Sequence, residues 1–162
     1  MLRILEGISA RLNQVLVWIA GGALVLMMVI LVTNMILRVV YVPFGGTAEL
    51  VAFLAALVIA FTLGFSQITR AHVEIDLLVS RFSRRAGSIL ESLTLFLSMV
   101  LFSIAAWQIW LYAARQMARG ILSETLRLPH YYLIYAVSIG FAALAIVLFV
   151  DLLKSVRGGD KK

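Results

Sequence analysis

Cysteine is absent from this chain of 162 residues, proline occurs twice, and only 14% of the residues are charged. Without cysteine the chain can form no disulfide framework and no thiolate metal site, and thiol redox chemistry is excluded. The two histidines, His72 and His130, are too few for a zinc site, which needs three or four clustered ligands. We therefore expect no catalytic residue, no metal and no cofactor.

Charge is missing altogether from four long apolar runs, which are residues 12–37, 50–69, 92–114 and 128–150. About 20 apolar residues carry an α-helix across a hydrocarbon core roughly 30 Å thick. The sequence therefore predicts an all-α integral membrane protein with four transmembrane helices in a single membrane domain, residues 1–162. The expected spans are about 12–37, 48–69, 89–114 and 129–152.

The positive residues between these runs predict the orientation of the chain. Ten Lys and Arg residues flank the runs on the side of the two termini and the second connection, and four lie in the first and third connections. Because positive charge is retained in the cytoplasm, both termini of this multi-pass protein should be cytoplasmic, and in a bacterial cell the first and third connections would then face the periplasm. This distribution explains the net charge of +6 better than nucleic-acid binding does. It also places His72 and His130 on opposite sides of the bilayer, so they cannot share one haem.

Two segments outside the runs have amphipathic helical spacing. Residues 1–11 and residues 72–85 alternate apolar and polar positions at i, i+3 and i+4, which is typical of helices lying in the membrane interface. In the second segment Arg81 and the adjacent pair Arg84 and Arg85 are candidates for contact with anionic lipid head groups. An ordinary connection between spans is the alternative for this segment. The polar tail, residues 157–162, is expected to be disordered.

Helix ends and polar residues in the runs have structural interpretations. Thr47 can cap the second helix, Glu49 falls in its first turn near the positive end of the helix dipole, and Pro129 suits the first turn of the fourth helix. Gly120 should end the third helix. Uncharged polar groups in membrane helices mostly form hydrogen bonds between helices, with substrate binding as the alternative. Small residues mark close packing, with a ligand surface as the alternative. The polar residues are Asn34, Gln67 and Gln108. The small residues are Gly21, Gly22, Ala55, Ala56 and Ala60.

Three functional classes fit a small membrane protein of this kind. A transporter is usually marked by broken helices or by an ionisable group deep in a span, and neither is visible here. A small autonomous proton-coupled exporter stays open as an alternative, with Glu49 as the nearest carboxylate. A membrane anchor for a redox enzyme is a weaker alternative. The absence of these markers favours a subunit that binds partners.

Three motifs on the four-span frame carry a family resemblance. Residues 46–50, Gly-Thr-Ala-Glu-Leu, open the second helix, and residues 70–78, Arg-Ala-His-Val-Glu-Ile-Asp-Leu-Leu, follow it. Residues 123–129, Ser-Glu-Thr-Leu-Arg-Leu-Pro, precede the fourth helix, with Tyr131 and Tyr132 after them. In these features the chain resembles the small membrane subunit of tripartite ATP-independent periplasmic (TRAP) transporters, the DctQ-type family.

The resemblance implies an accessory scaffold in a sodium-coupled importer of organic anions. Its partners would be a large membrane subunit, which carries the substrate and sodium sites, and a periplasmic substrate-binding protein. Membrane lipids would surround the complex. The substrate stays open among sialic acid, dicarboxylates, other carboxylates and small sulfonates. The chain itself is expected not to be an enzyme.

Two groups of residues are candidates for partner contact within this interpretation. The first should contact the large subunit or neighbouring helix ends, with simple solvation as the alternative, and comprises Glu49, His72, Glu74 and Asp76. The second should contact the periplasmic binding protein and comprises Tyr41, Phe44, Ser123, Leu126, Arg127 and Pro129.

Overall fold

A computed structural model of the chain describes residues 2–69 and 84–158, with side chains for residues 5–69, 90 and 92–155. These residues form four helices, and no strand lies among them. The helices are α1 (Leu2–Val40), α2 (Thr47–Ile68), α3 (Arg84–Arg119) and α4 (Tyr131–Gly158). Each is long and apolar enough to cross a membrane, so the prediction of an all-α chain with four possible spans is confirmed.

The N-terminal segment is the first difference from the sequence prediction. Residues 2–11 are not a separate surface helix but the beginning of α1, which is continuous over 39 residues. The side-chain amide of Asn13 donates a hydrogen bond to the Ser9 carbonyl over 2.9 Å, and Glu6 lies 3.5 Å from Lys154 of α4. The first contact lies within α1, and the second joins the segment to α4. At 1.5 Å per residue α1 is about 60 Å long, so it must tilt in a bilayer or project from it.

The third helix ends where the sequence predicts. Gly120 has a φ of +61°, in the left-handed region that glycine adopts without a steric penalty. The N–H of Gly120 donates to the Met117 carbonyl and that of Ile121 to the Gln116 carbonyl. These bonds satisfy carbonyls that the helix end would otherwise leave without partners, so the expectation that Gly120 stops α3 is confirmed.

The starts of α2 and α4 differ from expectation. Gly46 is the N-cap of α2, and the Thr47 hydroxyl donates back to the Phe44 carbonyl over 2.8 Å instead of capping the helix. In α4 the first carbonyl to accept helical N–H donors is that of His130. Pro129 therefore precedes α4 and does not lie in its first turn.

Two predicted segments, the interfacial helix and the C-terminal tail, are described only in part. The expected interfacial helix at 72–85 lies outside the described residues except at its last two positions, which are the first residues of α3. At the other end of the chain α4 extends to Gly158 and so includes the first two residues of the expected tail, 157–162.

The helices pack as an open row rather than as a closed bundle. α4 lies between α3 and α2, and α1 packs against α2 and to a smaller extent against α4. The hydrophobic core lies where α1, α2 and α4 meet, and its buried residues are Leu16, Ala20, Ala60, Phe61 and Ala143. Between α4 and α3, the Ser138 hydroxyl donates to the Ala106 carbonyl over 2.8 Å.

Small residues set the distance between two of these helices. A Cβ atom on Gly140 of α4 would lie only 2.6 Å from the backbone oxygen of Ala60 in α2, so the two backbones are in direct contact. The prediction that Ala60 marks close packing is confirmed. Gly21 and Gly22 pack against no other helix of this chain, since both are exposed on α1 and a side chain at either position would meet open space. For these two residues close packing stays a prediction.

Most of the apolar surface of the four helices is not covered by the chain itself. In the most apolar part of each helix, the buried share is 39% for α4, 17% for α2, 11% for α1 and 6% for α3. In a membrane protein such surface faces lipid or another subunit. The outer helices of the row, α1 and α3, therefore offer the largest free apolar faces.

Candidate functional site

The two connections on one side of the helix row meet and form what we call the loop end, residues 41–49 and 120–130. The opposite side, called the termini end, carries residues 5–14, 65–69, 90–92 and 151–155. The loop end contains seven of the residues that the sequence singled out for partner contact. Its geometry is built from hydrogen bonds between side chains and backbone.

The first connection is held at Phe44. The Phe44 N–H donates to the side-chain oxygen of Asn34 in α1 over 2.8 Å, and its carbonyl accepts from both the hydroxyl and the N–H of Thr47. Without these bonds the backbone of the first connection, which contains Pro43 and Gly45 and is not helical, would be free to change conformation. Asn34 thus fixes a loop, and the expectation that it bonds another helix is wrong.

Glu49 joins the start of α2 to the third connection. Its carboxylate accepts a hydrogen bond from the Leu126 N–H over 3.0 Å, across 77 positions of sequence. Glu49 is half-buried, and a hydrogen bond to a charged group contributes about 1.5–3 kcal/mol. The carboxylate also lies in the first turn of α2, where the helix dipole favours negative charge. One side chain therefore stabilises a helix start and a distant loop together.

The third connection closes on itself around Ser123. The Ser123 N–H donates to the Leu128 carbonyl over 3.0 Å, and the Leu128 N–H donates to the Ser123 hydroxyl over 3.1 Å. Within this closed turn Arg127 adopts a φ of +51°, which is uncommon for a residue other than glycine. The pair of bonds keeps the loop compact although Ser123 is its only buried residue.

Leu126 provides the apolar contact between the two connections. Its side chain lies directly over Gly46, so that a Cβ atom on that glycine would overlap the Leu126 Cδ2 atom and lie 2.8 Å from Cγ. Gly46 was not among the predicted site residues. The sequence carries only a general signal for it, since glycine is used where another group approaches the backbone closely.

His130 adds an aromatic contact behind the loop. Its ring stacks on Phe53 of α2 with an interplanar angle of 4° and a centroid separation of 6.1 Å. The Nδ1 atom is buried and has no hydrogen-bond partner among the described residues. The ring therefore acts here mainly through packing. It ties the N-terminus of α4 to α2.

The outward side of the loop end is apolar with scattered charge. Tyr41 is 80% exposed and Phe44 49% exposed, and Arg127 and Pro129 are also exposed. Glu49, Ser123 and Leu126, by contrast, form the support beneath them. The arrangement presents exposed side chains on a backbone that is fixed by hydrogen bonds, which suits the binding of another protein.

The remaining predicted site residues belong to the segment between α2 and α3 and to the start of α3. His72, Glu74, Asp76 and Arg81 fall outside the described residues, and Arg84 and Arg85 are the first two residues of α3. Within the described part of the chain, no group of three or more His, Cys, Asp or Glu side chains could hold a metal ion.

Comparison with known proteins assigns the chain to a family. A comparison with curated proteins gave no match, and neither did one with solved structures. Residues 27–158 match the family model of the tripartite ATP-independent periplasmic transporters, DctQ component. The match spans the second part of α1, both connections of the loop end and the whole of α2, α3 and α4. The chain therefore belongs to the DctQ component family of TRAP transporters, the small membrane subunits of these systems.

Proposed function

We propose that this chain is the accessory scaffold of a sodium-coupled TRAP importer of organic anions. In this role it binds the large membrane subunit through its free helix faces and helps to dock the periplasmic substrate-binding protein at the loop end. The family match over residues 27–158 carries the proposal. Its four long apolar helices agree with a multi-pass protein of the bacterial inner membrane.

The free faces of the outer helices support binding of a large apolar partner. On α3, Leu97, Leu101 and Ile104 are exposed at i, i+4 and i+7 spacing and so share one face. On α1, Val25, Met28 and Val32 are exposed at i, i+3 and i+7 spacing and also share one face. The outer helices α1 and α3 thus each carry an apolar face that this chain leaves uncovered. A scaffold can bind a large membrane subunit through such faces.

The distribution of positive charge supports a periplasmic position for the loop end. With ten basic residues on the side of the termini and four on the other, the termini belong in the cytoplasm. The loop end then faces the compartment of the substrate-binding protein. Its exposed aromatic and basic residues, Tyr41, Phe44 and Arg127, are residue types enriched at protein interfaces.

The placement of carboxylates supports a role in which this chain does not itself bind the transported substrate or ion. Charge-free runs leave the middle of each span without an ionisable group. Glu49, the carboxylate on which an autonomous exporter would depend, is bound to the Leu126 N–H at a helix start. At the start of α2, just before the charge-free run, this carboxylate stabilises a loop and does not stand deep in a span, where ionisable groups usually mark an ion or proton path.

Co-purification tests the contact with the large subunit. The chain, tagged and expressed with the large subunit of its own transporter, should be recovered in a stoichiometric complex from mild detergent. A photo-crosslinking residue at Leu101 of α3 or at Val25 of α1 should form an adduct with the large subunit from at least one of the two faces. Recovery of a lone chain, with no adduct from either face, would overturn the proposal.

A second crosslinking pair tests the contact with the binding protein. Substitution of Phe44 or Arg127 by the photo-crosslinking residue should yield an adduct with the substrate-binding protein. Thr69, exposed at the termini end, is the matched control and should yield none. Adducts from Thr69 alone would contradict both the docking role and the proposed orientation.

A further inference from the structure

A groove between α1 and α2 opens at the termini end, far from the loop end. Its volume is about 450 Å³, within the range of roughly 300–1,000 Å³ that small-molecule sites occupy. Residues of both helices line it, namely Ala10, Gln14, Val17, Trp18, Phe65 and Ile68. The walls are almost entirely apolar, and Gln14 is the one amide among them.

The rim of the groove is available to a ligand. Trp18 is 76% exposed, and Phe65 and Ile68 across the groove are each 39% exposed. A flexible hydrocarbon chain lying between these walls makes dispersion contacts on several sides, whereas on a flat helix face it makes them on one. The shape therefore favours an elongated apolar group over a compact polar one.

An unpaired positive charge lies beside the groove. Arg11 follows Ala10 directly and shares one side of α1 with Gln14 and Trp18, at i, i+3 and i+7 spacing. Arg11 is exposed and makes no ion pair with any carboxylate in the described part of the chain. The nearest acidic residue on α1, Glu6, lies against Lys154 of α4 instead.

The depth of Arg11 matches that of a lipid head group. The charge-free run of α1 begins at the next residue, so Arg11 stands at the edge of the apolar span. At 1.5 Å per residue, Trp18 lies about 10 Å further along the helix axis. A molecule with an anionic head and a hydrocarbon tail fits this order, with its head at Arg11 and its tail beside Trp18.

We propose that the groove between α1 and α2 binds one anionic phospholipid. One acyl chain lies between Trp18 and Phe65, and the phosphate accepts hydrogen bonds from the Arg11 guanidinium, with the Gln14 amide as a second donor. The site is separate from the loop end and from the transporter role, so either can be wrong without the other.

Lipid retention tests the site on the full chain, purified in mild detergent together with any subunits that accompany it. The protein is equilibrated with equal amounts of phosphatidylglycerol and phosphatidylethanolamine, washed, and the retained lipids are quantified by mass spectrometry. Wild type should retain about one phosphatidylglycerol per chain above the amount retained by the variants. Arg11→Gln should lower the ratio of the two lipids about fivefold, the effect of one basic residue near an anionic surface.

Three further variants make the test specific. Arg11→Lys keeps the charge and should keep the preference for phosphatidylglycerol, whereas Ala10→Phe fills the groove and should lower retention of both lipids. Arg38→Gln removes one charge just beyond the other end of the same apolar run and should leave the retention of both lipids unchanged. An equal loss with Arg38→Gln, or full retention in both Arg11→Gln and Ala10→Phe, would overturn the proposal.

Discussion

The loop end and the termini end both connect several helices through polar side chains, but they do so in different ways. At the loop end, Glu49, Asn34 and Ser123 bond to backbone N–H groups, and each bond fixes the course of a loop. At the termini end, side chains bond to side chains: Lys154 lies 3.5 Å from Glu6 and 3.6 Å from Asp151, and both ion pairs are substantially exposed. The hydrogen bonds from side chains to backbone fix the shape of the loop surface, whereas exposed ion pairs add little stability.

The difference corresponds to what each end has to do in the proposed complex. A soluble partner that binds and leaves repeatedly needs a surface of constant shape, because ordering a loop on binding costs free energy. The termini end needs only to keep α1, α2 and α4 adjacent, and apolar packing already does so through the core. Four substitutions, taken from the largest expected effect to the smallest, test this contrast.

Removal of the Glu49 carboxylate should have the largest effect. Glu49→Ala leaves the Leu126 N–H without its acceptor, and we expect the free energy of unfolding to fall by about 1.5–3 kcal/mol. Hydrogen exchange at the Leu126 amide should accelerate at the same time. Glu49→Gln retains an oxygen acceptor without the charge and should cost about half as much. Unchanged exchange at Leu126 in Glu49→Ala would show that this bond does not hold the loop.

Crowding at Gly46 should have the second-largest effect on stability. Gly46→Ala places a methyl group against Leu126 and should lower the free energy of unfolding by about 1–3 kcal/mol. Thermal unfolding followed by tryptophan fluorescence measures the change. Leu126→Ala in the same chain should relieve part of it, so the double mutant should be less destabilised than the sum of the two single mutants. Strict additivity would contradict the contact between these residues.

Loss of the Ser123 hydroxyl should have a smaller and more local effect. Ser123→Ala removes the acceptor of the Leu128 N–H but leaves the backbone bond between the same two residues, so the cost should be about 0.5–1.5 kcal/mol. The exchange of the Leu128 amide should rise while that of Leu126 stays near its wild-type rate. Ser103→Ala, at an exposed position on α3, serves as the control and should leave both amides unchanged.

The termini end should show the smallest effect. Lys154→Gln removes both ion pairs, and because the groups are exposed we expect a loss of about 0–1 kcal/mol. About 1 M salt should abolish the difference between this variant and wild type, since salt screens exposed charges. A loss as large as that of Glu49→Ala would erase the contrast between the two ends.

The sequence predicted the helices well because each span depends on local composition. Four runs without charge are sufficient to identify four membrane-crossing helices, and Gly120 is sufficient to end α3. Continuity of α1 from Leu2 was missed because the charged residues Arg3, Glu6 and Arg11 set the segment apart from the apolar run, although no proline interrupts the helix there.

The sequence did not indicate how the two connections of the loop end meet. Glu49, Phe44, Ser123 and Leu126 were singled out as candidates for partner contact, which stays a prediction, and the bonds among them were not foreseen. The partner of Glu49 is 77 residues away, and that of Asn34 is a loop N–H rather than another helix. Periodicity and capping rules describe only local structure, so they cannot indicate which loops meet.

Transport in reconstituted liposomes tests the central claim most directly. Liposomes containing the large subunit and this chain, supplied with the binding protein, an organic-anion substrate of the transporter and a sodium gradient, should accumulate the substrate. Omission of this chain should abolish uptake, and liposomes with this chain alone should show neither sodium-driven nor proton-driven flux. Uptake that persists without the chain, or proton-coupled flux through the chain alone that Glu49→Gln removes, would contradict the assignment of an accessory scaffold.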